Sequence, residues 1–366
     1  MTPIPFRVHI SQSKLDTIRA RLECAEIAYA PEDDSNWKYG TDARYLCDFR
    51  DYWLNHYDWR KAEDGLNAFP QFKARVEDIE IHFYHVRGDG AHCFPIILTH
   101  GWPGSILEFL GVIEPLRAAG YDLIIPSLPG YGFSSRPANP IGRRRVAYLW
   151  RKLMVDVLGY RRFGAQGGDW GAGVARALAH DHADVTAAIH LNFIMYINVE
   201  SEEPALAEWR KIVADTMMRV SAYSYEHQTR PQTIALALSS NPLAFAAWVL
   251  EKFQSWADTR GNIENSFTKT QLITNIMIYL INDAVSSAIW LYHGTTKEAP
   301  MRNRIFVPTG FARYPVEIVV PPPRRVAELE FNIARWTEMP AGGHFAAWEE
   351  PDAFAREVAA FFAENR

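Results

Sequence analysis

The amino-acid sequence predicts an α/β protein: a mostly parallel, helix-flanked sheet with a helical segment inserted before its last strands. Three observations carry that expectation. A continuous apolar run of strand length at residues 94–99 and a second buried strand expected at 121–126 alternate with helix-patterned stretches at 107–119 and 146–158, a rhythm that implies right-handed crossovers between parallel strands. From about residue 196 to 296 the alternation gives way to helix-forming segments rich in Trp and Tyr, and strand patterns return only at 304–307 and 333–338. Ahead of that insertion lies Ala165-Gln166-Gly167-Gly168-Asp169-Trp170-Gly171, a glycine-bracketed acid between a short apolar run and a helix-like stretch.

The 366 residues, 48% hydrophobic and 22% charged, suffice for one large domain plus a sizeable insertion. A net charge of -5 without a long basic tract argues against nucleic acid as a partner. The triplet Arg143-Arg144-Arg145 reads as a solvated helix face. Cys24, Cys47 and Cys93 are widely spaced and odd in number, which suggests neither a disulfide framework nor a metal ligand set and fits a reducing cytoplasm. The opening Met1-Thr2-Pro3-Ile4-Pro5-Phe6-Arg7 has no signal pattern, and no apolar run approaches the roughly 20 residues that span a bilayer, so a soluble protein without a membrane anchor is expected.

Residues 1–90 form a helical and loop-rich opening. Leu15, Ile18 and Leu22 recur at helical spacing, as do Tyr45, Phe49, Tyr52 and Trp53, and these aromatics, with Tyr57 and Trp59, are expected as core anchors. Residues 79–86 alternate apolar and polar like an edge strand, and Gly88-Asp89-Gly90 turns the chain. The main domain is expected over 91–195 and again over 297–366, with 196–296 as a helical cap. In its first part the run 94–99 reads as a strand buried on both faces and delivers the loop His100-Gly101-Trp102-Pro103-Gly104. The run 161–166 leads into the bracketed acid. In the second part 304–307 precedes Pro308-Thr309-Gly310, and 333–338 precedes Pro340-Ala341-Gly342-Gly343-His344. Residues 351–362, with Phe354, Val358, Phe361 and Phe362 on one face, read as a closing amphipathic helix.

The bracketed acid reads as a nucleophile elbow. In so sharp a strand-to-helix turn the central residue is strained and the positions two before and two after it need to be nearly free of side chain; Gly167 and Gly171 occupy them. The usual serine is replaced by Asp169, which changes the chemistry from acyl transfer to attack on an electrophilic carbon. An acid with a reference pKa of about 3.9 is charged at neutral pH and needs no base to activate it. His344, in the loop past the final strand, is the candidate general base, and Glu317, past the penultimate strand, is placed to orient it. Glu338, inside a strand, and Glu349 and Glu350, at a helix start, read as structural. Nucleophile, acid and histidine in that chain order is the arrangement of the α/β-hydrolase fold.

His100-Gly101-Trp102-Pro103-Gly104, Gly167-Gly168-Asp169-Trp170-Gly171 and Gly342-Gly343-His344-Phe345-Ala346-Ala347 together resemble the microsomal-type epoxide hydrolases. The likeness covers nearly the whole chain, including the N-terminal meander with Leu66-Asn67-Ala68-Phe69-Pro70-Gln71-Phe72 and the Pro308-Thr309-Gly310-Phe311 loop. It departs from the membrane-bound members, whose anchor helix is lacking, and is closer to soluble microbial ones. The resemblance implies Asp169 as nucleophile, His344 as base, Glu317 as its acid partner, and two cap tyrosines as proton donors to the opening ring: Tyr223, with Tyr225 nearby, and Tyr292. It implies an oxyanion hole from the backbone N–H groups of Trp102 and Trp170, an apolar epoxide and water as reactants, and no metal or organic cofactor; a homodimer is left open. Two alternatives share these residues. A haloalkane dehalogenase would use the same Asp and His with indole donors for a halide, and a silent binding homologue would be expected to lose part of the triad.

Overall fold

A computed structural model describes residues 2–365. Among them nine strands form one sheet: β1 Ile4–Phe6, β2 Gln71–Val76, β3 Ile79–Val86, β4 Phe94–Thr99, β5 Tyr121–Pro126, β6 Phe163–Gly167, β7 Thr186–Leu191, β8 Ile305–Arg313 and β9 Phe331–Glu338. Their order is β1-β2-β3-β5-β4-β6-β7-β8-β9. The first three add antiparallel strands to a parallel block that runs from β5 to β9. Every residue of β5 is buried, as expected of a parallel strand covered on both faces. The closing helix Pro351–Glu364 lies on one face: Phe362 fills the space that a Cβ at Gly164 of β6 would occupy, 2.4 Å from its ring.

Three local readings are corrected. Residues 79–86 form a strand, but an interior one, since residues 71–76 pair with it on one side and β5 on the other. Alternation reports which face a strand buries, not whether its edges are paired. The strand β7 went unread because Thr-Ala-Ala-Ile-His-Leu is short and alanine-rich; it is held by pairing with β6 and β8 rather than by propensity. The strand expected at 304–307 continues through Pro308 to Arg313, with a register shift against β9 between Ile305 and Pro308. A bulge is where a sheet tolerates a residue that cannot donate.

Between β7 and β8 the chain forms the helices Pro204–Val220, Ala222–Thr229, Pro231–Ser240, Pro242–Trp256, Lys269–Ile281 and Val285–Thr295. In Lys269–Ile281 every residue from Leu272 onward is buried, so this helix is covered all round. Part of the cover comes from the N-terminal helices Gln12–Glu23 and Ala43–Asn55 and the segment after them. The Tyr52 hydroxyl stands 2.9 Å from Thr270 Oγ1, that of Tyr57 3.2 Å from Thr274 Oγ1, and Lys14 pairs with Asp283 at 2.8 Å. Phe49, Trp53 and Trp59 are core residues as expected. Among the described residues no single helix is long and apolar enough to cross a membrane.

Candidate active site

The chain leaves β4 toward β5 on one side, while β6 lies on the other, so the carboxyl ends of β4 and β6 open the kind of crevice in which α/β proteins bind ligands. Asp169 sits there with φ +45°, in the left-handed region that non-glycine residues avoid. The neighbours permit nothing larger: a Cβ on Gly167 would lie 2.1 Å from the Gly171 carbonyl carbon, and one on Gly171 would lie 1.8 Å from Thr99 O. The strained residue opens the helix Asp169–Asp181, whose first N–H groups have no intrahelical acceptor and favour a negative charge. Trp170 N–H belongs to that turn. Trp102 N–H donates to Asp169 Oδ1 at 2.8 Å.

The loop that carries Trp102 is held at several points. His100 Nδ1–H donates to Gly101 O at 2.9 Å while its Nε2 accepts Leu128 N–H at 3.2 Å; burial drives its pKa down to about 4, so the ring is neutral. From the helix Lys269–Ile281, Asn275 Nδ2 donates to Pro103 O at 2.8 Å and Tyr279 to Gly104 O at 2.5 Å. The loop that presents Trp102 N–H is thus fixed by both the sheet and the helical insertion.

His344 follows β9, its backbone N–H bonded to Trp256 O at 3.0 Å. Its Nδ1 donates to Glu317 Oε1 at 2.6 Å, and Glu317 also accepts Ile318 N–H at 2.7 Å. Nε2 lies 3.3 Å from Asp169 Oδ2 without an aligned hydrogen bond. Burial disfavours the imidazolium, but the charges of Glu317 and Asp169 outweigh it and raise the His344 pKa well above the ordinary value.

Tyr223 and Tyr292 come from the helices Ala222–Thr229 and Val285–Thr295 and meet nearly at right angles, ring centres 6.1 Å apart. Trp102 stacks on Tyr223 at 5.3 Å, and Trp170 meets Tyr292 edge-on at 4.7 Å. Both tyrosines and Asp169 line a cavity of about 250 Å³ whose apolar walls include Leu191, Phe193 and Ile194. Burial raises both phenol pKa values well above 10, with the charge of Asp169 adding to it, so both groups stay protonated. Tyr225 is exposed and lies outside this cavity. The structure therefore brings Asp169, His344, Glu317, Tyr223, Tyr292 and the backbone of Trp102 and Trp170 into one place.

Other residues of the site had escaped notice. Glu108 is buried beside Asp169 and His344, and burial, against the attraction of His344, lifts its pKa to about 8. Its Oε1 has no partner, and Gly104 is glycine because a Cβ there would lie 1.6 Å from that oxygen. His227 packs against Trp102, Tyr223 and Tyr292 at 4.9, 5.5 and 4.8 Å. Its place four residues after Tyr223, on the same helix face, is the signal that could have found it. Of the arginine triplet, Arg144 pairs with Asp181 and Arg145 with Asp78, but Arg143 is largely buried and lines the cavity; the solvated-face reading fails for it. Glu349 ends a short helix rather than starting one, accepting the N–H groups of Asp258 and Phe345 at 2.7 and 2.9 Å.

Comparison with known proteins agrees with this geometry. Residues 3–109 match the family described as epoxide hydrolase N terminus and residues 95–261 the alpha/beta hydrolase fold. Epoxide hydrolase 1 of Oryctolagus cuniculus is 32% identical over 98% of this chain and 88% of its own length. The structure of Aspergillus niger epoxide hydrolase superposes with a TM-score of 0.90 at 32% identity, covering 100% of this chain and 97% of that one. That of juvenile hormone epoxide hydrolase from Bombyx mori gives 0.88 at 28%, covering 100% and 94%. With sequence and fold matched from end to end, the chain belongs to the epoxide hydrolase family of α/β-hydrolase-fold enzymes.

Proposed function

We propose that the chain converts an epoxide and water to a vicinal diol through a covalent ester on Asp169. The observation that carries this is the carboxylate at the elbow facing two protonated phenols across one apolar cavity. Asp169 attacks a ring carbon, forming the O–C bond as the ring C–O bond breaks. Ring strain lets a weak nucleophile suffice, but the alkoxide that forms is strongly basic, and Tyr223 and Tyr292 stand where its charge grows. One phenol gives the alkoxide its proton while the other donates a hydrogen bond to it, and the phenolate left behind is reprotonated by the proton that His344 releases once Asp169 is esterified.

Hydrolysis then needs a base, and the electrostatics supply one at the right time. In the free enzyme two carboxylates hold His344 protonated. Alkylation removes the charge of Asp169, so the His344 pKa falls and the ring can take a proton from water while Glu317 stabilises the imidazolium. A cavity of about 10 Å³ bounded by Asp169, His344 and Glu108 is at the lower limit of the space that admits one water. A Glu108 carboxyl kept protonated can hold that water without adding a second negative charge. The tetrahedral oxyanion develops on the oxygen already facing Trp102 N–H, with Trp170 N–H as the second donor. Collapse releases the diol and restores the carboxylate.

His344→Gln should open styrene oxide yet stall before hydrolysis, with turnover down at least about 1000-fold. Intact-protein mass spectrometry should then show one substrate mass added to the peptide that carries Asp169. Unmodified protein with no reaction at all would overturn the two-step scheme.

A further inference from the structure

The cavity that holds Asp169, Tyr223 and Tyr292 also contains an arginine, Arg143, with a buried nitrogen that no hydrogen-bond acceptor reaches. Arg143 opens the helix Arg143–Lys152, and its stem lies over Gly173, where a Cβ would come within 3.1 Å of Arg143 Cδ. Gly173 is four residues beyond Asp169 on the helix Asp169–Asp181, so the Arg143 side chain crosses that helix about one turn, roughly 6 Å, past the nucleophile. Its Nε is buried with no hydrogen-bond partner. Glu298 Oε2, itself buried without a hydrogen-bond partner, is its counter-charge at 3.9 Å, beyond hydrogen-bonding reach, and Glu298 Oε1 is committed to the backbone N–H groups of Arg144 and Arg145 at 2.7 and 3.3 Å. The second arginine of the cavity also has a buried Nε without a partner, but its terminal nitrogens are committed: Arg176 pairs with Glu330, and Nη1 and Nη2 donate to Tyr196 O and Met301 O at 3.3 and 3.4 Å, whereas Arg143 has, among the described residues, only Glu298 within ion-pair reach. Lining the same cavity is Thr295, three residues after Tyr292, whose Oγ1 is also buried without a partner; its neighbour Gly294 packs on the backbone of Ile141, two residues before Arg143.

Donors buried without acceptors destabilise the free protein and raise affinity for whatever satisfies them. A guanidinium fork matches a carboxylate, which accepts two parallel hydrogen bonds from it. We propose that Arg143, with Thr295 beside it, anchors a carboxylate of the substrate, so that the favoured epoxides are amphiphilic acids with the carboxylate roughly one helical turn from the attacked carbon. The spacer runs along the apolar wall of Phe193 and Ile194. This assignment of substrate class rests on the reading of Asp169 as nucleophile, but carboxylate binding itself does not.

Two measurements separate the claims. Titration calorimetry with 4-ethylbenzoate, which carries the acid but no epoxide, should show binding to the wild type that weakens at least about tenfold in Arg143→Leu and recovers in part in Arg143→Lys. Turnover of 4-oxiranylbenzoate and 4-methylstyrene oxide should favour the acid in the wild type by about 10- to 100-fold in kcat/KM, and Arg143→Leu should erase or invert that ratio while Arg143→Lys keeps part of it. Absent or equal binding of 4-ethylbenzoate in wild type and both variants overturns the proposal, as does a substrate ratio that Arg143→Leu leaves in place. Binding that depends on Arg143 with no diol from either epoxide would keep the anchor and discard the epoxide reading.

Discussion

The two sides of the site are held by different physics. On the sheet side the reactive groups hang from strand ends: Asp169 after β6, Glu317 after β8, His344 after β9, each fixed by backbone geometry or by short hydrogen bonds. On the helical side Tyr223, His227, Tyr292 and Trp256 are fixed by ring against ring, with centroids 4.8 to 6.1 Å apart. Backbone geometry accepts few residue types. Ring packing accepts many, because the contacts that position an aromatic do not depend on its hydroxyl. The sheet side should therefore be brittle in structure, and the helical side robust in structure but sensitive in rate.

The sharpest test of that contrast is Gly171→Ala. The added carbon would stand 1.8 Å from Thr99 O, a backbone atom that cannot turn aside, so the elbow has to open. Stability should fall by about 2 kcal/mol or more and diol formation by over about 1000-fold. A thermal melt and an activity near wild type would mean that the elbow is as adaptable as the ring cluster.

Tyr223→Phe and Tyr292→Phe probe the other side with an intermediate effect. Each should keep its melting temperature within a few degrees, yet lower the pre-steady-state alkylation rate by roughly 10- to 1000-fold, the cost of one transition-state donor. The double variant should nearly lack turnover. The indole Nε1 atoms of Trp102 and Trp170 are buried without acceptors, which is the feature that favours halide release. Wild-type protein should nonetheless release no halide from brominated alkanes. Release that survives the double change, with epoxides untouched, would transfer the leaving-group site to the indoles.

Glu108→Gln should have the smallest effect and a definite pH dependence. Burial raises the Glu108 pKa from 4.5 to about 8, so the folded protein keeps a proton that the unfolded chain releases above about pH 4.5. The stability this gives is present at low pH and is lost as pH rises through about 8. Glutamine cannot titrate, so across that window the variant should lose less in melting temperature than the wild type, by a few degrees. Hydrolysis of the ester should slow several-fold at neutral pH, since the amide replaces the carboxyl as the holder of the water. Parallel melting curves across the window would show that Glu108 is not the group that carries the proton.

By itself the sequence determined whatever depends on backbone conformation or chain order. Gly167 and Gly171 around Asp169 marked the elbow because no other residue fits between β6, β4 and the helix. The order of Asp169, Glu317 and His344 followed from which strand each succeeds, and the strands at 94–99 and 121–126 were readable to the residue because burial on both faces leaves a largely apolar run, broken in the second only by Asp122. Tyr223 and Tyr292 were legible only through resemblance to a family, since nothing local separates them from the other tyrosines among the 16 in the chain. The tertiary structure alone decided the rest. It made residues 79–86 an interior strand by laying residues 71–76 along them, and it carried β8 through Pro308 with a register shift. It also turned Arg143 from a surface triplet into the cavity and set Glu108 against His344. Each of these depends on contacts between segments far apart in the chain, and burial and electrostatic environment are properties of such contacts rather than of any stretch of residues.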